Sequence, residues 1–569
     1  MRYVDVILPL PLDGLFTYTL PDALEDKVQA GMRVLVPLGR SKTYTAMVLR
    51  LHDQEPAFKT REVLQVLDTQ PMLLAEQMRL WLWVADYYMS PLGDVFKTAL
   101  PPGLKSEDGY RPRKEAYVAL GENYRSEQAL HIALSMLRKG LKQHQTFITY
   151  LSLSHWDTIE GTATAEPVVE ITKEELMNES HCSAAVLKAL LDRKLLYTYE
   201  REVGRLNNGG EEHRENIKRL NDAQEDAYNK IVVQMMRKNV VLLHGVTSSG
   251  KTEIYIHLID KALSEGKQVL YLLPEIALTV QTTTRLRHVF GDRLGIYHSK
   301  YSDAERVEIW KKQLSDTPYD IILGARSAVW LAVPRLGLVI IDEEHESSFK
   351  QQDPAPRYHA RSAAIVLASM YGAKTLLGTA TPSAESYYNA TTGKYGLVKL
   401  TTRYKGIELP EIRVVNVKDL RHRKIMRGPF SPDLLAAMRQ ALDEKKQVIL
   451  FQNRRGFAPM VECNVCGWVP KCKNCDVSLT LHKNTNLMTC HYCGYTYAVP
   501  KMCPNCESTD LRSRGFGTEK IEDLISELFP EARVARMDLD TTRTRNAYER
   551  LIGEFSAGKT DILIGTQMI

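Results

Sequence analysis

The sequence lacks three features. It has almost no cysteine outside one region, no long apolar run, and no marked excess of charge of one sign. Only Cys182 of its nine cysteines lies outside residues 463–506. No apolar run approaches the ~20 residues that a membrane-spanning helix needs, and the amino terminus lacks the apolar core of a secretory signal peptide. The net charge of +5 is compatible with nucleic-acid binding without being diagnostic of it. We therefore expect a cytoplasmic protein without a membrane segment.

The length of 569 residues predicts several domains rather than one hydrophobic core. Short β-rich runs followed by a helical segment predict a small β-barrel-like domain over residues 1–105. Residues 113–200 follow the order helix, turn, helix, strand of a winged helix, with Thr172 and Glu175 as a capping box. Any other small helical domain is the alternative. A polar, glycine-containing linker is expected over residues 201–219.

Apolar β-runs alternate with helical stretches in the remainder of the chain, as in parallel α/β sheets that are buried on both faces. We predict one such domain over residues 220–405 and a second over residues 430–569. A cysteine-rich insert at residues 460–510 interrupts the second. The expected fold class is therefore a multidomain α/β protein with a small β-rich amino-terminal domain.

The stretch GVTSSGKTE matches the phosphate-binding pattern G-x-x-x-x-G-K-[ST] and lies between a strand-like and a helix-like run. Gly245 and Gly250 let backbone N–H groups wrap phosphates, Lys251 reaches the β- and γ-phosphates, and Thr252 is a ligand for Mg²⁺. A chance match in a glycine- and serine-containing loop is the alternative, and the flanking pattern disfavours it. We predict an ATP site here.

The stretch LVIIDEEH ends an apolar strand with acidic residues. Asp342 is predicted to hold Mg²⁺ and Glu343 to orient and deprotonate the attacking water. A solvated acidic loop is the alternative.

Eight cysteines form four Cys-x-x-Cys pairs, which in a reducing compartment favour metal over disulfides. Two pairs make one closed Cys₄ zinc centre, so we expect two structural Zn²⁺. The inner pairs have the spacing of a zinc ribbon around which the outer pairs would close, and sequential pairing is the alternative. In chain order the pairs are Cys463/Cys466, Cys472/Cys475, Cys490/Cys493 and Cys503/Cys506.

These motifs resemble the DExH-type helicases of superfamily 2, which implies two RecA-like lobes with ATP between them. LNDAQ resembles the adenine-reading segment, with Gln224 as the reader. Further blocks resemble those that contact DNA, those that couple DNA binding to ATP hydrolysis, and those that lie in the second lobe. They are LLPEIALT (Pro274, Glu275), GARSAV (Gly324, Arg326, Ser327), GTATPS (Thr379, Thr381), FQNRRGF (Asn453, Arg454, Arg455, Gly456) and GTQMI (Gly565, Thr566, Gln567).

The stretch SSFKQQDPAPRYHAR follows DEEH and interleaves aromatic with basic side chains. Stacking faces among positive charges suit a single DNA strand, and related helicases carry a DNA-sensing loop here. An ordinary loop with packed aromatics is the alternative. The stacking candidates are Phe349, Tyr358 and His359, with Lys350, Arg357 and Arg361 between and beside them.

The position of the cysteine insert, directly after QNRRGF, makes the whole chain similar to the PriA family of bacterial replication-restart helicases. The resemblance implies 3′→5′ movement on single-stranded DNA, recognition of forked DNA through the 3′ end of the nascent strand, and reloading of the replicative helicase. It implies partners among single-stranded-DNA-binding and primosome-loading proteins, a monomer, and a location with the nucleoid. The residues that match the 3′-end pocket are Phe16, Thr17, Tyr18, Gly39 and Arg61.

Two departures from that family are visible. The pocket of the family often has a carboxylate between two aromatics, and here Thr17 stands in its place, which puts reading of the terminal base edge in doubt. The chain also stops at Ile569, inside the second lobe and before the block that carries the arginine finger. Such an arginine is worth roughly 10³ to 10⁵ in rate, so we expect this chain to hydrolyse ATP weakly or not at all.

Two other functions stay open from the sequence. The chain could be a different DExH remodeller, or a structural loader at forks in which the motor is secondary. Preference for a fork with a free 3′ end would distinguish a replication-restart helicase from another DExH remodeller. Loading that survives replacement of Lys251 would favour the structural loader.

Overall fold

The computed structural model describes two compact units of the chain, Met1–Gly406 and Ile407–Ile569. The described residues are 2–105, 110, 114–138, 140–156, 169–202, 210–274, 280–298, 301–403, 410–417, 420, 423, 425–452, 460–463, 465–466, 468–475, 477–482, 487–490, 493–514, 518–538, 541–542 and 545–566. Within these ranges, no helix combines the length and the apolar character needed to cross a membrane.

The amino-terminal part of the first unit is a five-stranded antiparallel sheet in the order β2-β1-β4-β3-β5. The free edge of β2 is closed by the segment before β5, because Thr19 donates to the Arg61 carbonyl at 2.8 Å and Val63 donates to the Thr19 carbonyl at 3.0 Å. This closure gives the barrel-like shape that the β-rich runs predict. Its elements are β1 (Arg2–Ile7), β2 (Phe16–Leu20), β3 (Arg33–Leu38), β4 (Lys42–His52), β5 (Gln65–Val66), α1 (Ala75–Tyr87) and α2 (Leu92–Ala99).

The next part of the first unit has a three-stranded antiparallel sheet, in the order β7-β6-β8, and four helices. The predicted capping box is present: the Glu175 N–H donates to the Thr172 hydroxyl at 3.1 Å at the start of α5. Helix, helix and strand then follow in the order of a winged helix. The elements are β6 (Lys114–Leu120), α3 (Glu127–Leu137), α4 (Leu141–Leu153), β7 (Ile171–Thr172), α5 (Lys173–Glu179), α6 (Ala184–Asp192) and β8 (Leu196–Glu202).

The largest part of the first unit is a seven-stranded parallel sheet in the order β11-β12-β10-β13-β14-β9-β15. Its strands are mostly apolar, as expected of strands that helices cover on both faces. The elements are α7 (Asp222–Arg237), β9 (Val240–Gly245), α8 (Lys251–Ser264), β10 (Gln268–Leu272), α9 (Val280–Phe290), β11 (Leu294–Tyr297), α10 (Asp303–Gln313), β12 (Ile321–Gly324), β13 (Leu336–Asp342), α11 (Ala360–Tyr371), β14 (Lys374–Thr379), α12 (Ala384–Thr391) and β15 (Gly396–Leu400).

The helices α1 and α2 share a hydrophobic core with one face of this parallel sheet. Two buried hydrogen bonds join them: Gln77 Nε2 donates to the Trp330 carbonyl at 2.7 Å, and Trp310 Nε1 donates to the Met72 carbonyl at 2.9 Å. The amino-terminal domain is thus fused to the parallel sheet rather than tethered to it.

The second unit combines a three-stranded parallel sheet, in the order β16-β23-β22, with small antiparallel sheets around the cysteines. Its elements are α13 (Pro432–Asp443), β16 (Val448–Phe451), β17 (Met460–Cys463), β18 (Thr480–His482), β19 (Leu487–Thr489), β20 (Thr496–Ala498), β21 (Leu511–Arg514), α14 (Thr518–Leu528), β22 (Val534–Met537), α15 (Arg545–Ser556) and β23 (Ile562–Gly565).

Candidate functional site

Three predicted motifs meet at one edge of the seven-stranded sheet. The strands β13, β14 and β9 are adjacent and parallel, so their carboxyl ends lie side by side. The phosphate loop follows β9, Asp342 ends β13, and Thr379 ends β14. Ligands of open parallel sheets bind outside the carboxyl ends of the strands, which makes this edge the candidate site.

The phosphate loop turns into α8 at Gly250, whose φ of 79° lies in the left-handed region. The backbone therefore requires glycine, and a Cβ at this position would lie 2.2 Å from Gln224 Nε2 and displace that amide. The helix then begins at Lys251, with Thr252 in its first turn. The Lys251 ammonium donates to the Gly245 carbonyl at 3.1 Å, which keeps it over the loop where phosphates would lie.

Gln224 is buried against the phosphate loop with both ends of its amide engaged. Its Oε1 accepts from the Asn221 N–H at 3.0 Å in a capping box at the start of α7. Its Nε2 donates to the carbonyls of Ser249 at 3.3 Å and Gly250 at 3.2 Å. The side chain therefore braces the loop in this state, and adenine reading by Gln224 stays a prediction.

Asp342 is held by two donors at the end of β13. The Tyr255 hydroxyl donates to its Oδ1 at 2.8 Å, and the Glu343 N–H donates to the same oxygen at 3.1 Å. Burial raises the pKa of Asp342 to about 6; the charge of Glu343 adds to this, whereas the Tyr255 hydrogen bond and Lys251 oppose it. A cation beside this carboxylate would favour its charged form, as expected of a magnesium ligand.

Glu343 adopts a φ of 47°, which is unusual for a residue other than glycine. Beside it, His345 Nδ1 lies 3.6 Å from Glu343 Oε2 and 2.8 Å from the Thr379 hydroxyl. The other ring nitrogen lies 3.4 Å from the Thr381 hydroxyl. One imidazole thus bridges the acidic block and the GTATPS block.

Glu344 and Arg361 form a buried ion pair, whereas the sequence predicted Arg361 among the basic side chains beside a DNA strand. The Glu344 carboxylate accepts from the Arg361 guanidinium, from the Ser383 N–H at 2.8 Å and from the Ser386 hydroxyl at 2.8 Å. It is fully buried, and a buried carboxylate needs such partners. The signal for Glu344 in the sequence was its place as the second glutamate of DEEH, which the assignment of Asp342 and Glu343 left without a role.

The prediction that Phe349 and Tyr358 offer stacking faces to DNA is contradicted by the structure. Both rings have no exposed surface. The Tyr358 hydroxyl accepts from Trp330 Nε1 at 3.0 Å, and the two rings pack edge to face with centroids 4.9 Å apart. Burying a large aromatic ring in the core stabilises the fold more than leaving it exposed to solvent. Phe349 and Tyr358 are therefore packed aromatics, which was the alternative interpretation of this segment. His359 is half-buried.

Arg326 lies against this aromatic segment and lines a small cavity. Its Nη1 donates to the Lys350 carbonyl at 3.1 Å. The cavity of about 140 Å³ is lined by Arg326 together with Pro274, Ser348 and others. The structure thus brings together the residues predicted from two DNA-contacting blocks.

In the amino-terminal domain, Tyr18, Gly39 and Arg61 come together and Thr17 does not join them. The Tyr18 hydroxyl donates to the Pro37 carbonyl at 2.9 Å, and the Arg61 guanidinium donates to the Gly39 carbonyl. Side chains alternate along a strand, so Phe16 and Tyr18 share one face. Thr17 points to the other face, where its hydroxyl donates to Asp5 at 2.6 Å.

Several predicted residues lie outside the part of the chain that the structure describes. They are Glu275, Asn453, Arg454, Arg455, Gly456 and Gln567. The DNA contact expected of Arg454 therefore stays a prediction.

The cysteines gather into two groups, each with its sulfur atoms within 4.8 Å of one another. The outer pairs close around the inner ones, and the sequential pairing is not adopted. In each of the four pairs the first cysteine N–H donates to the carbonyl five residues later, which forms the same tight turn four times. The groups are Cys463, Cys466, Cys503 and Cys506, and Cys472, Cys475, Cys490 and Cys493.

The sulfur spacing fits zinc. A tetrahedral ion with Zn–S bonds of about 2.3 Å places its sulfurs about 3.8 Å apart. Cys463 and Cys506 lie 3.6 Å apart, as do Cys466 and Cys503. Four thiolates fill each site, so the zinc is structural.

Comparison with protein families matches most of the chain to four family models. They are the 3′ DNA-binding domain of PriA (residues 5–101), a winged helix domain of PriA helicase from Bacteroidota (115–203), the DEAD/DEAH box helicase (221–390) and the Cys-rich region domain of PriA DNA helicase (472–497).

Curated relatives match over the whole of this chain. The replication restart protein PriA of Haemophilus influenzae is 36% identical, with 74% of its length covered. The proteins of the same name from Bacillus subtilis and Chlamydia trachomatis are 33% and 35% identical, with 76% and 74% covered. The chain therefore belongs to the PriA family of replication restart proteins, which are ATP-dependent DNA helicases with a zinc-binding region.

Proposed function

We propose that this chain recognises stalled or abandoned replication forks, moves 3′→5′ on single-stranded DNA at the expense of ATP, and helps to reload the replicative helicase. The observation that carries the proposal is the meeting of the phosphate loop, Asp342 and Thr379 at one sheet edge. That edge belongs to a chain that also matches a 3′ DNA-binding domain.

ATP and Mg²⁺ are proposed to bind at this edge. Backbone N–H groups between Gly245 and Gly250 and the start of α8 would cradle the phosphates, and Lys251 would reach the β- and γ-phosphates. Thr252 and Asp342 would hold Mg²⁺, which neutralises charge on the phosphates when bound. Gln224 braces the loop now and would need to exchange its bonds with Ser249 and Gly250 for adenine.

Glu343 is proposed to orient and deprotonate the attacking water. Its neighbour His345 touches the hydroxyls of Thr379 and Thr381. We propose that a DNA-induced shift of the GTATPS block moves His345 and thereby changes the position of Glu343. This path links DNA binding to hydrolysis through hydrogen bonds between neighbouring side chains.

DNA contacts are proposed at two places in the first unit. Phe16, Gly39 and Arg61 would receive the nascent 3′ end. Tyr18 is only 4% exposed and lies in the core of the sheet, so it would support them rather than offer an open face. Thr17 supports the sheet from the other face. Phe349 and Tyr358 are buried beneath the segment that carries Arg326 and support it from below. Arg326, rather than these rings, would contact the single strand. Arg454 is proposed as a contact from the second unit.

The domain limits predicted from the sequence are retained as proposals: residues 1–105, 113–200, 220–405 and 430–569, with the linker at 201–219 and the zinc-binding insert at 460–510. We propose that the chain works as a monomer in the bacterial cytoplasm, at the nucleoid. The zinc-bearing insert would meet DNA or protein partners, among them single-stranded-DNA-binding and primosome-loading proteins.

The test is ATP hydrolysis with three DNAs: a fork with a free 3′ end, the same fork with that end blocked, and plain duplex. Because the sequence predicts weak hydrolysis, the comparison is between relative rates: we expect the free-ended fork to stimulate hydrolysis most, and Lys251→Ala to abolish that stimulation. Lys230→Ala, an exposed change on α7, is the control that should leave the rate unchanged. Equal stimulation by all three DNAs would overturn fork recognition.

A further inference from the structure

A second cavity opens at the opposite edge of the seven-stranded sheet, where the strands begin. Its volume is about 420 Å³. Asn239 and Val240 stand at the start of β9, Thr375 at the start of β14, and Tyr395 just before β15. The phosphate loop and Asp342 lie at the opposite edge of the sheet, where the strands end, so the length of the strands separates the cavity from the nucleotide site.

The charged side chains that line this cavity are all positive: Arg237, Lys238 and Lys394. Lys374 lies alongside, donating to Asn239 Oδ1 at 3.0 Å. Among the described residues, none of Arg237, Lys238 and Lys394 forms an ion pair with a carboxylate. The Lys238 ammonium donates to the Gly393 carbonyl, which does not neutralise its charge. Like charges around one cavity repel one another, and a bound anion would relieve this repulsion.

Thr375 also lines this cavity, and its hydroxyl is buried in the cavity wall. Thr375 is 1% exposed, and its Oγ1 has no hydrogen-bond partner in the described part of the chain. Alternation along β14 places its side chain on the α11 side of the sheet, as for Leu377, and Val240 and Ile365 of the cavity lie on that side. A buried hydroxyl without a partner costs stability and calls for an explanation.

We propose that this cavity binds a phosphate group. The guanidinium of Arg237 and the ammonium groups of Lys238 and Lys394 supply the counter-charge, and the Thr375 hydroxyl and the Asn239 amide supply neutral donors. The volume falls within the ~300 to 1,000 Å³ of small-molecule sites, which leaves room for a sugar and base attached to the phosphate. The source of the phosphate is either the DNA backbone or a free phosphate ion.

Fork binding tests the DNA source, with labelled forked DNA titrated over a salt series. The starting protein is the full 569-residue chain carrying Lys251→Ala, so that the nucleotide site contributes less phosphate binding. Each phosphate contact contributes about 0.9 to the slope of log K against log salt. If the site holds a backbone phosphate, the double variant Arg237→Gln with Lys394→Gln reduces the magnitude of that slope by about one to two. Lys230→Gln on the same helix, whose charge is already paired with Asp226, leaves it unchanged.

Inorganic phosphate tests the free source through the melting temperature, compared with chloride at equal ionic strength. A rise in melting temperature specific to phosphate, and lost both in the double variant and in Thr375→Val, supports a free-phosphate site. Thr375→Val should not lower the melting temperature in phosphate-free buffer, because it removes a hydroxyl without a partner. An unchanged salt slope together with no phosphate-specific rise in melting temperature overturns the proposal. A phosphate response that survives Thr375→Val also overturns it, because surface charge alone would then suffice.

Discussion

Thr17 and Asp5 face each other across β2 and β1, and their hydrogen bond determines what position 17 can offer to DNA. Burial tends to raise the pKa of Asp5, but hydrogen bonds from Thr17, Arg50 and His52 outweigh it and hold the pKa below its usual value. Position 17 has no carboxylate, and the nearby carboxylate of Asp5 on the adjacent strand is used in hydrogen bonds within the sheet. At the residue scale, Thr17 is a structural donor.

Thr17→Val should destabilise the first unit by about 1 to 3 kcal/mol at neutral pH, because it leaves a buried carboxylate short of one donor. A group with a depressed folded pKa contributes stability above the unfolded value of about 3.9 and loses it as the pH falls through the folded value. The difference from the parent should therefore shrink in acid. Urea denaturation at several pH values measures this, and Thr17→Ser, which keeps the hydroxyl, should match the parent. An equal deficit at all pH values would contradict the role of Asp5.

His359 gives a second pH effect at the same scale. Its pKa is lowered to about 4, first by burial and then by the positive charges of Arg361 and Lys350. An unfolded histidine titrates near ~6.5, so between these values the unfolded chain binds the additional proton. The first unit should therefore lose stability as the pH falls from about 6.5 towards 4.

His359→Gln should make that loss of stability with falling pH shallower, as measured by urea midpoints across the same range. His131→Gln, on the exposed surface of α3, is the matched control and should leave the slope as it was. Identical slopes for parent and His359→Gln would mean that other groups carry the effect.

At the scale of elements, the four cysteine turns show how short segments obtain a fold from metal. The apolar core around the inner group is small, with Val461, Leu479, Leu481 and Met488 as its buried members besides cysteine. Strands of three residues such as β18 to β20 cannot fold alone. Zinc binding must therefore supply much of their folding free energy.

Cys466→Ser should reduce the zinc content from two ions per chain to about one, because it breaks one of the two groups. Zinc released on denaturation can be counted with a colorimetric chelator. Cys182→Ala, remote from both groups in sequence and in the α3 to α6 core, should retain both ions. Loss of both ions from Cys466→Ser would show that the two centres fold as one.

At the scale of the first unit, the amino-terminal domain and the parallel sheet share one core. Gln77 is central to this joint: its Oε1 accepts from the Leu74 N–H at 2.8 Å, and its Nε2 reaches Trp330. Trp330 in turn donates to Tyr358 beneath the segment that carries Arg326. Three hydrogen bonds thus lead from the domain proposed to bind the 3′ end to the carbonyl of Arg326, in a segment proposed to contact DNA.

Gln77→Met should cost about 1 to 3 kcal/mol in the free energy of unfolding, since it leaves the buried Trp330 carbonyl without a donor. It should also weaken the extra ATPase stimulation by a free 3′ end. Arg79→Met, the same type of change on the exposed face of α1, should alter neither property. Denaturation and ATPase assays with free-ended and blocked forks measure both, and unchanged stability would exclude a structural role for the joint.

What the sequence by itself determined is the chemistry that depends on local spacing. The phosphate loop, the DEEH block, the capping box at Thr172 and the Cys-x-x-Cys turns require residue types at fixed short intervals, and these can be read without a fold. The alternation of apolar runs likewise indicated a parallel sheet and the order of the domains.

Only the tertiary structure decided which side chains are buried and which distant residues meet. Phe349 and Tyr358 lie in the core, and Thr17 hydrogen-bonds to Asp5. The outer cysteine pairs form one group, and Glu344 forms an ion pair with Arg361. Each of these outcomes depends on contacts between segments far apart in the chain. Their free energy comes from burial and hydrogen bonding across those segments, and no local pattern records it.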